Sequence, residues 1–280
     1  MPSLICPVCS STLSKTDNNK SFECENKHLF DRSKQGYLNL LLSHLKKSKH
    51  PGDTSEMVLA RKDFLNRGHY GKISNQLNQL AKEYCGNINS INYADLGCGE
   101  GYYTERVKHA LNDHSNKTCG IDISTPAIKS ACKRDTAIQW VISSASHIPL
   151  SSASQDLASC LFFRFDPNEV ARILKEDAIL ISASTGPEHL IELREHLYND
   201  VRIDKPEAKI SNENRLEHLK TINIKHSITL NSSLEIEQLL TMPPHYWRAT
   251  QAKKQALFSL NHLQVSLEVQ FNIYRRTSAT

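Results

Sequence analysis

Short apolar runs alternate with segments of helical spacing through the middle of the chain. Such short apolar runs are typical of buried strands. In chain order they read INYADL, TCGID, QWVIS, DLASCLFF and AILISAST. Strands that alternate with helices predict an α/β fold with a mostly parallel sheet.

The last third of the chain has a different pattern. Two longer segments, INIKHSITLN and VSLEVQFNIYRR, alternate apolar and polar residues. In the second segment one face carries Val265, Leu267, Val269, Phe271 and Ile273. Two such strands close together in the chain predict an antiparallel pair at the edge of the sheet.

Two helices are predicted before the first of these strands. Asp53 and Glu56 resemble a capping box that would start the first helix. The segment Arg67–Gly71 predicts a break between the helices, where His69 and Tyr70 need not be core residues. Apolar residues at helical spacing support both helices: Met57, Ala60, Phe64 and Leu65, then Ile73, Leu77, Leu80 and Tyr84.

Composition and length fit one large domain with a small appendage, since the chain has 280 residues of which 39% are hydrophobic. We predict a zinc-binding module at 1–35, a basic linker with helices at 36–85, and the main domain at 86–280. The sequence lacks an apolar run long enough for a membrane span and a recognisable signal peptide, so we expect a cytoplasmic protein. Its eight cysteines are then expected to be reduced.

The positive charge is concentrated at the N-terminal end. Residues 1–50 hold eight Lys/Arg and four Asp/Glu, whereas the remainder holds 26 of each, so the net charge of +4 lies in the first fifty residues. This asymmetry predicts a polyanionic partner. The cluster of Lys46, Lys47 and Lys49 is either a solvated linker or a phosphate contact, and its position beside a basic module favours phosphate contact.

Four potential metal ligands lie near the N-terminus. Cys6 and Cys9 form a C-x2-C pair, and Cys24 and His28 form a C-x3-H pair, which together supply the four ligands of a structural zinc ion. Metal binding would also provide folding energy that such a short segment lacks. The alternative is a thioredoxin-like redox pair at Cys6 and Cys9, which would need a preceding strand that the sequence does not offer.

A glycine-rich turn follows the first predicted strand of the main domain. The strand ends in Asp95, and Gly97, Gly99 and Gly101 come next, at alternate positions, before a helix. Such glycines let the backbone approach a ligand closely. A dinucleotide fingerprint would have its third glycine at position 102, which is Tyr, so the pattern favours S-adenosylmethionine.

The following strands add two groups to this predicted cofactor site. Asp122 ends the second strand, where a carboxylate can accept protons from both ribose hydroxyls. Residues 143–146 follow the third strand and are expected to line the adenine. Asp95 and Asp122 could instead be ordinary turn residues, although their joint placement argues against this. Together the patterns predict a class I (Rossmann-like) S-adenosylmethionine-dependent methyltransferase.

The chain as a whole resembles the RlmA family of bacterial 23S ribosomal RNA guanine-N1 methyltransferases. The resemblance rests on an ordered set of motifs that spans nearly the full length. After the zinc motif these are QGYLNLL, PGD, RGHY, DLGCGEGYYT, GPEHL and MPPHYWRA. GCGEG alone is shared by many methyltransferases, whereas the ordered set is far more specific.

The resemblance implies zinc in the N-terminal module and S-adenosylmethionine-dependent methylation of N1 of a guanosine in hairpin 35 of 23S ribosomal RNA. It also implies a homodimer whose positive cleft receives the RNA. The family's cofactor contacts fall on Tyr70, Gly99, Glu100 and His189, and Asp122 matches the ribose acid. PGD and YYT look closer to the Gram-negative branch than to the antibiotic-resistance branch.

Two segments depart from the family pattern: FFRFDP replaces a motif resembling YAP at the methyl-acceptor pocket, and KEDA replaces a KPGG turn. A base for the guanine N1 proton could be Asp166, His147 or Glu100, and no spacing selects among them. Asp166 could instead cap a helix. Tyr246 and Trp247 could stack on a splayed base or pack against the sheet.

Two other functions remain open at this level. A methyltransferase for a small molecule such as a quinone or lipid precursor would share the glycine turn but would have little use for the zinc motif. A zinc-dependent RNA-binding protein without catalysis would not need the intact Asp95, glycines and Asp122.

Overall fold

The computed structural model describes residues 2–46, 48, 51–111, 117–201, 210, 215–242 and 250–278. Lys47 and Lys49 of the basic cluster lie outside the described residues, as do Tyr246 and Trp247.

The described residues form two sheets. A small antiparallel sheet near the N-terminus contains β1 (Ser14–Lys15), β2 (Ser21–Glu23) and β3 (Leu29–Asp31). The large sheet has eight strands. These are β4 (Leu38–Asn39), β5 (Asn92–Leu96), β6 (Lys117–Asp122), β7 (Gln139–Ile142), β8 (Gln155–Leu161), β9 (Leu174–Thr185), β10 (Leu216–Leu230) and β11 (Leu263–Arg276).

The large sheet has the strand order β10-β11-β9-β8-β5-β6-β7-β4. Strands β4 to β9 are parallel to one another, and β11 is antiparallel to both β9 and β10. This confirms the predicted mostly parallel sheet with an antiparallel pair at one side. Strand β4 extends the opposite side, where Leu38 pairs with Val141 and Asn39 with Ile142.

Eight α-helices and one short 3₁₀ helix, Ser43–Leu45, belong to the part of the chain that the structure describes. None of these helices is both long and apolar enough to cross a membrane. The α-helices are α1 (Ser55–Asn66), α2 (Gly71–Cys85), α3 (Tyr102–Ala110), α4 (Thr125–Ala131), α5 (Pro167–Ile173), α6 (Ile191–Leu197), α7 (Ser233–Thr241) and α8 (Gln251–Phe258).

The start of α1 differs from the sequence prediction. Thr54 caps this helix, since its hydroxyl accepts the amide hydrogen of Met57 at 3.3 Å. The capping box predicted at Asp53 and Glu56 is therefore wrong, and the Asp53 carboxylate instead pairs with Arg61. The predicted break between α1 and α2 is confirmed, although Tyr70 within it is buried.

The N-terminal segment packs onto the large sheet. Leu4, Leu13 and Phe22 belong to the same buried apolar cluster as Ala94 and Ile121 of the parallel strands. An isolated bridge also pairs Leu4 with Leu150. The domain division at residues 35 and 85 stays a prediction, and buried contacts run across both positions.

Candidate metal and cofactor sites

Three thiols and one imidazole meet near the N-terminus. They are the side chains of the four predicted metal ligands, Cys6, Cys9, Cys24 and His28. Their ligand atoms all lie within 4.8 Å of one another. The Sγ atoms of Cys9 and Cys24 are 3.6 Å apart. Nδ1 of His28 lies 3.4 Å from Sγ of Cys24 and 3.6 Å from Sγ of Cys6.

These distances can be compared with those that zinc would impose. Ligands at tetrahedral zinc distances are separated by about 3.8 Å for two sulfurs and about 3.5 Å for sulfur and nitrogen. These three separations are close to both values, and the other pairs of ligand atoms also lie within 4.8 Å, so the four side chains are grouped as a zinc ion requires.

Two tight turns hold these ligands. In the first, the amide of Ser10 donates to the carbonyl oxygen of Cys6 at 2.8 Å, and the amide of Val8 donates to the Sγ atom of Cys6 at 3.4 Å. In the second, between β2 and β3, the amide of Lys27 donates to the carbonyl oxygen of Cys24 at 2.9 Å. Amide hydrogen bonds to sulfur favour the thiolate, which is the form that binds metal.

The glycine turn lies at the carboxyl end of β5. Gly97 and Gly101 both have positive φ, at +68° and +86°. A Cβ atom at Gly97 would lie 2.8 Å from Cγ of Phe163, and one at Gly101 would lie 2.7 Å from Cη2 of Trp140. Any side chain at either position would therefore be strained and would collide with a neighbouring ring.

Asp122, at the end of the neighbouring strand β6, is hydrogen-bonded to this turn. Its carboxylate accepts the amide hydrogen of Gly99 at 2.9 Å and that of Ser124 at 2.7 Å. Burial raises the pKa of the Asp122 carboxyl, while these two amide hydrogen bonds act in the opposite direction. Each oxygen keeps a second lone pair, so the carboxylate can still accept hydrogen bonds from a ligand.

Asp95 has a different environment. It is 2% exposed, and its two carboxylate oxygens accept hydrogen bonds from the hydroxyls of Thr104 at 2.5 Å and Ser159 at 2.6 Å. Burial raises the pKa of the Asp95 carboxyl to about 6. Asp95 therefore connects β5, α3 and β8, and this network fixes the backbone around the glycine turn.

Glu100 carries an unsatisfied acceptor. Its side chain is 2% exposed and Oε2 accepts a hydrogen bond from Nε of Arg134. Within the part of the chain that the structure describes, Oε1 of Glu100 is buried and has no hydrogen-bond partner. An unpaired buried acceptor is unfavourable, so a donor from a bound ligand would satisfy this atom.

A cavity of about 820 Å³ opens at the carboxyl ends of the central strands. Five of the predicted cofactor-binding residues line it, as do residues 143–146: Asp95, Gly97, Gly99, Glu100 and Asp122. Such a volume is typical of sites for nucleoside-sized ligands. With the glycine turn and the free Oε1 atom, the cavity fits S-adenosylmethionine.

The remaining predicted cofactor residues lie beside the cavity rather than on its wall. Gly101 caps the N-terminus of α3. The Tyr70 hydroxyl lies 3.3 Å from Nε2 of His189, and Nδ1 of His189 lies 3.0 Å from the carbonyl oxygen of Glu268. The backbone amide of Glu268 also donates to Nδ1 of His189, at 3.2 Å. The cofactor contacts of Tyr70, Gly101 and His189 therefore stay predictions.

Arg61 was not predicted from the sequence, although it lies in the cavity wall. A signal existed in the spacing of Met57, Arg61 and Leu65, which all line the cavity from successive turns of α1. A single arginine within an apolar stripe of a helix is unusual and is a sign of a buried ligand or ion pair.

The segment that departs from the family pattern forms another part of the wall. Phe162 and Phe163 follow β8, line the cavity and are 39% and 40% exposed. Phe162 has φ of +56°, a strained conformation that its amide hydrogen bond to the carbonyl oxygen of Ala183 helps to hold. Its ring packs 6.4 Å from the rings of both Tyr70 and Tyr103. Two large aromatic side chains are thus held at the mouth of the cavity.

The three candidate bases all line the cavity, but the structure does not single out one of them. Asp166 caps α5 by accepting the amide hydrogen of Asn168 at 2.9 Å. His147 has Nδ1 3.4 Å from the hydroxyl of Ser146. Glu100 is paired with Arg134. We therefore assign no catalytic base.

Two family models match separate parts of the chain. Residues 4–49 match the family model described as RlmA, N-terminal, a zinc ribbon, and residues 94–180 match a methyltransferase domain model. A 23S ribosomal RNA guanine-748 N1-methyltransferase of Streptomyces fradiae is 30% identical over 68% of this chain and 66% of its own length. A Bacillus subtilis protein named as a 23S ribosomal RNA guanine-N1 methyltransferase is 26% identical over 94% of each chain.

The fold is also similar to that of solved methyltransferase structures. A crystal structure described as that of a methyltransferase from Bacillus halodurans superposes with a TM-score of 0.50 at 14% identity, covering 72% of this chain and 99% of that one. The strand order, the glycine turn and the acidic strand end define a class I S-adenosylmethionine-dependent methyltransferase. The chain thus carries the RlmA N-terminal zinc ribbon together with a methyltransferase domain, and its relatives are named as 23S ribosomal RNA guanine-N1 methyltransferases.

Proposed function

We propose that this chain transfers a methyl group from S-adenosylmethionine to N1 of a guanosine in hairpin 35 of 23S ribosomal RNA. The observation that carries the proposal is the presence, in one chain, of a zinc-ligand cluster and a methyl-donor cavity. The names of the relatives support ribosomal RNA as the substrate, and the resemblance supports the hairpin. Assignment to the Gram-negative branch stays a prediction, since the Streptomyces relative is named for guanosine 748.

The cavity residues provide a binding site for each part of the cofactor. Asp122 would accept hydrogen bonds from the ribose hydroxyls, and residues 143–146 would line the adenine. The turn at Gly97 and Gly99 leaves room for close backbone contact. Oε1 of Glu100 would accept a hydrogen bond from the α-ammonium group. When bound, S-adenosylmethionine supplies an electrophilic methyl group on a sulfonium.

The N-terminal module would contact the RNA backbone. Lys20, Lys27 and Lys34 are exposed on it, and their positive charge suits a phosphate partner. The four metal ligands would fix this module in a single conformation. The homodimer and the cytoplasmic location that the sequence suggests stay predictions, and size-exclusion chromatography with light scattering tests the homodimer.

The methyl transfer itself mainly requires alignment of donor and acceptor in a dry site. Guanine N1 carries a proton at neutral pH, and this proton must leave before or during attack. Phe162 and Phe163 would exclude water at the mouth of the cavity and hold the acceptor base by stacking. The cavity thus positions the base, while the proton acceptor is left unassigned.

Replacement of Phe162 with alanine is expected to lower kcat/KM for RNA by about 5- to 150-fold, because base–aromatic stacking contributes roughly 1–3 kcal/mol per base. Affinity for S-adenosylhomocysteine should stay within about twofold, because Phe162 is placed on the acceptor side. Steady-state kinetics and calorimetric titration measure the two quantities. Leu234→Ala, which removes an exposed apolar side chain on α7, is the control. A variant with normal kcat/KM would exclude the stacking role.

Transfer of label from radioactive S-adenosylmethionine to 23S ribosomal RNA transcripts tests the proposed function. We expect labelled RNA, together with RNA binding that weakens steeply as salt increases. A small-molecule methyltransferase would bind the cofactor without this salt dependence, and an RNA-binding protein without catalysis would bind RNA but ignore the cofactor. Either result would reject the proposal.

A further inference from the structure

Arg61 occupies an unusual position in the wall of the cofactor cavity. Its side chain is only 26% exposed. One guanidinium nitrogen, Nη1, pairs with Oδ2 of Asp53, and the other, Nη2, donates to the carbonyl oxygen of Met242 at 3.2 Å. These two contacts use two of the five guanidinium hydrogens, so others remain for a ligand. Arg61 is thus a partly buried cation that is held in place from one side.

The surroundings of Arg61 are acidic. Its charge acts on Glu100 and Asp122, where it lowers the pKa of both carboxyls against the larger effect of burial. A Cβ atom at Gly99 would lie 3.8 Å from Nη1 of Arg61, so the guanidinium reaches the glycine turn. The other guanidinium in the wall, that of Arg164, belongs to an exposed residue. Within the described wall, Arg61 is therefore the enclosed guanidinium nearest the turn.

S-adenosylmethionine has one anionic group, the α-carboxylate of its methionine part. The same part carries the cationic α-ammonium group, and the sulfonium is also cationic. A cavity with several carboxyl groups suits the cationic groups, whereas the carboxylate needs a positively charged donor. Planar guanidinium groups bind carboxylates through two parallel hydrogen bonds.

We propose that Arg61 binds the α-carboxylate of the methionine part and that Asp53 positions Arg61 for this contact. This inference rests on the proposed function. Together with Oε1 of Glu100, Arg61 would recognise the zwitterionic end of the cofactor by its two opposite charges. Asp53 is suited to positioning, because its backbone is fixed independently of Arg61: its carbonyl oxygen accepts a hydrogen bond from the Ser124 hydroxyl at 2.8 Å.

A pair of ligands separates this role from a structural one. S-adenosylhomocysteine contains the amino-acid part, whereas 5′-methylthioadenosine keeps the adenosine and the sulfur but lacks that part. We expect Arg61→Gln to weaken S-adenosylhomocysteine binding by about 10- to 100-fold, the range for a charge-assisted pair. Binding of 5′-methylthioadenosine should change by less than about twofold, because this ligand does not reach Arg61. Calorimetric titration of the full chain measures both.

Two further variants sharpen the test. Lys62→Gln removes the neighbouring charge on α1, which also acts on Glu100, and should change neither affinity by more than about twofold. Asp53→Asn removes the charged partner of Arg61. It should weaken the binding of S-adenosylhomocysteine alone, and by a smaller factor than Arg61→Gln does. This selective effect would distinguish positioning from general support of the cavity.

Each other result would overturn the inference. If Arg61→Gln weakened the binding of both ligands equally, Arg61 would support the cavity rather than bind the carboxylate. If it weakened the binding of neither ligand, Arg61 would not contact the cofactor. If the unmodified chain bound both ligands with the same affinity, the carboxylate would have no effective partner, although the proposed function would stand. If the unmodified chain bound neither ligand, the proposed function would fail as well.

Discussion

Replacement of Cys24 with serine is expected to abolish zinc binding, lowering the metal content from about one ion per chain to about zero. The hydroxyl of serine is a poor zinc ligand, and structural zinc sites contribute roughly 10–16 kcal/mol of apparent binding energy in small modules. The loss of this energy should unfold the turn between β2 and β3. RNA affinity should fall with it, since the exposed lysines of the module would lose their fixed arrangement.

Metal analysis, RNA binding and cofactor titration of the same preparation would measure this result. S-adenosylhomocysteine affinity should change by less than about twofold, because the cofactor cavity is formed by other residues. Cys132→Ser provides a matched control, because Cys132 is a buried free cysteine outside the cluster. A Cys24 variant that kept its metal would show that the ligand assignment is wrong.

Replacement of Asp122 with alanine is expected to weaken S-adenosylhomocysteine binding by at least about 100-fold, because hydrogen bonds to a charged group contribute roughly 1.5–3 kcal/mol each. Two effects combine at this residue. The ribose would lose its acceptor, and the amides of Gly99 and Ser124 would lose the carboxylate that fixes the glycine turn. Asp122→Asn should bind with intermediate affinity, since the amide keeps one acceptor oxygen and replaces the other with an NH2 donor.

Asp156→Ala is the matched control for Asp122. The Asp156 carboxylate also accepts a backbone amide hydrogen, that of Asn92 at 2.9 Å, but it lies at the start of β8 and does not line the cavity. Its loss should lower thermal stability without changing cofactor affinity. Calorimetric titration and thermal unfolding measure these effects. Normal cofactor affinity in Asp122→Ala would show that Asp122 does not bind the ribose.

The parts of the fold that depend on local pattern could be predicted from the sequence. The strands that carry Asp95 and Asp122 are marked by apolar runs, and glycines at alternate positions follow the first of them. Strand β4 was not predicted, because its two residues become a strand only by pairing with β7. The cap of α1 also differed, because Arg61 competes for Asp53 across two turns of the helix.

The candidate site could likewise be predicted from the sequence only where it depends on local pattern. The four metal ligands follow from sequence spacing, because each pair lies within one short turn. The placement of Phe162 at the cavity mouth depends on its left-handed backbone and on Ala183, and the burial of Tyr70 depends on its aromatic neighbours. No local pattern contains the contacts of Phe162 with Tyr70 and Ala183, since they join residues far apart in the chain.

Primer extension on 23S ribosomal RNA from cells with and without this protein tests directly whether the chain methylates guanine N1 in hairpin 35. A methyl group on guanine N1 blocks base pairing and stops reverse transcriptase at that position. We expect a stop at one guanosine of hairpin 35 that disappears when the protein is absent. The stop should return when the unmodified chain is restored, but not when the Asp122→Ala variant is. Identical stops in hairpin 35 with and without the protein would contradict this expectation.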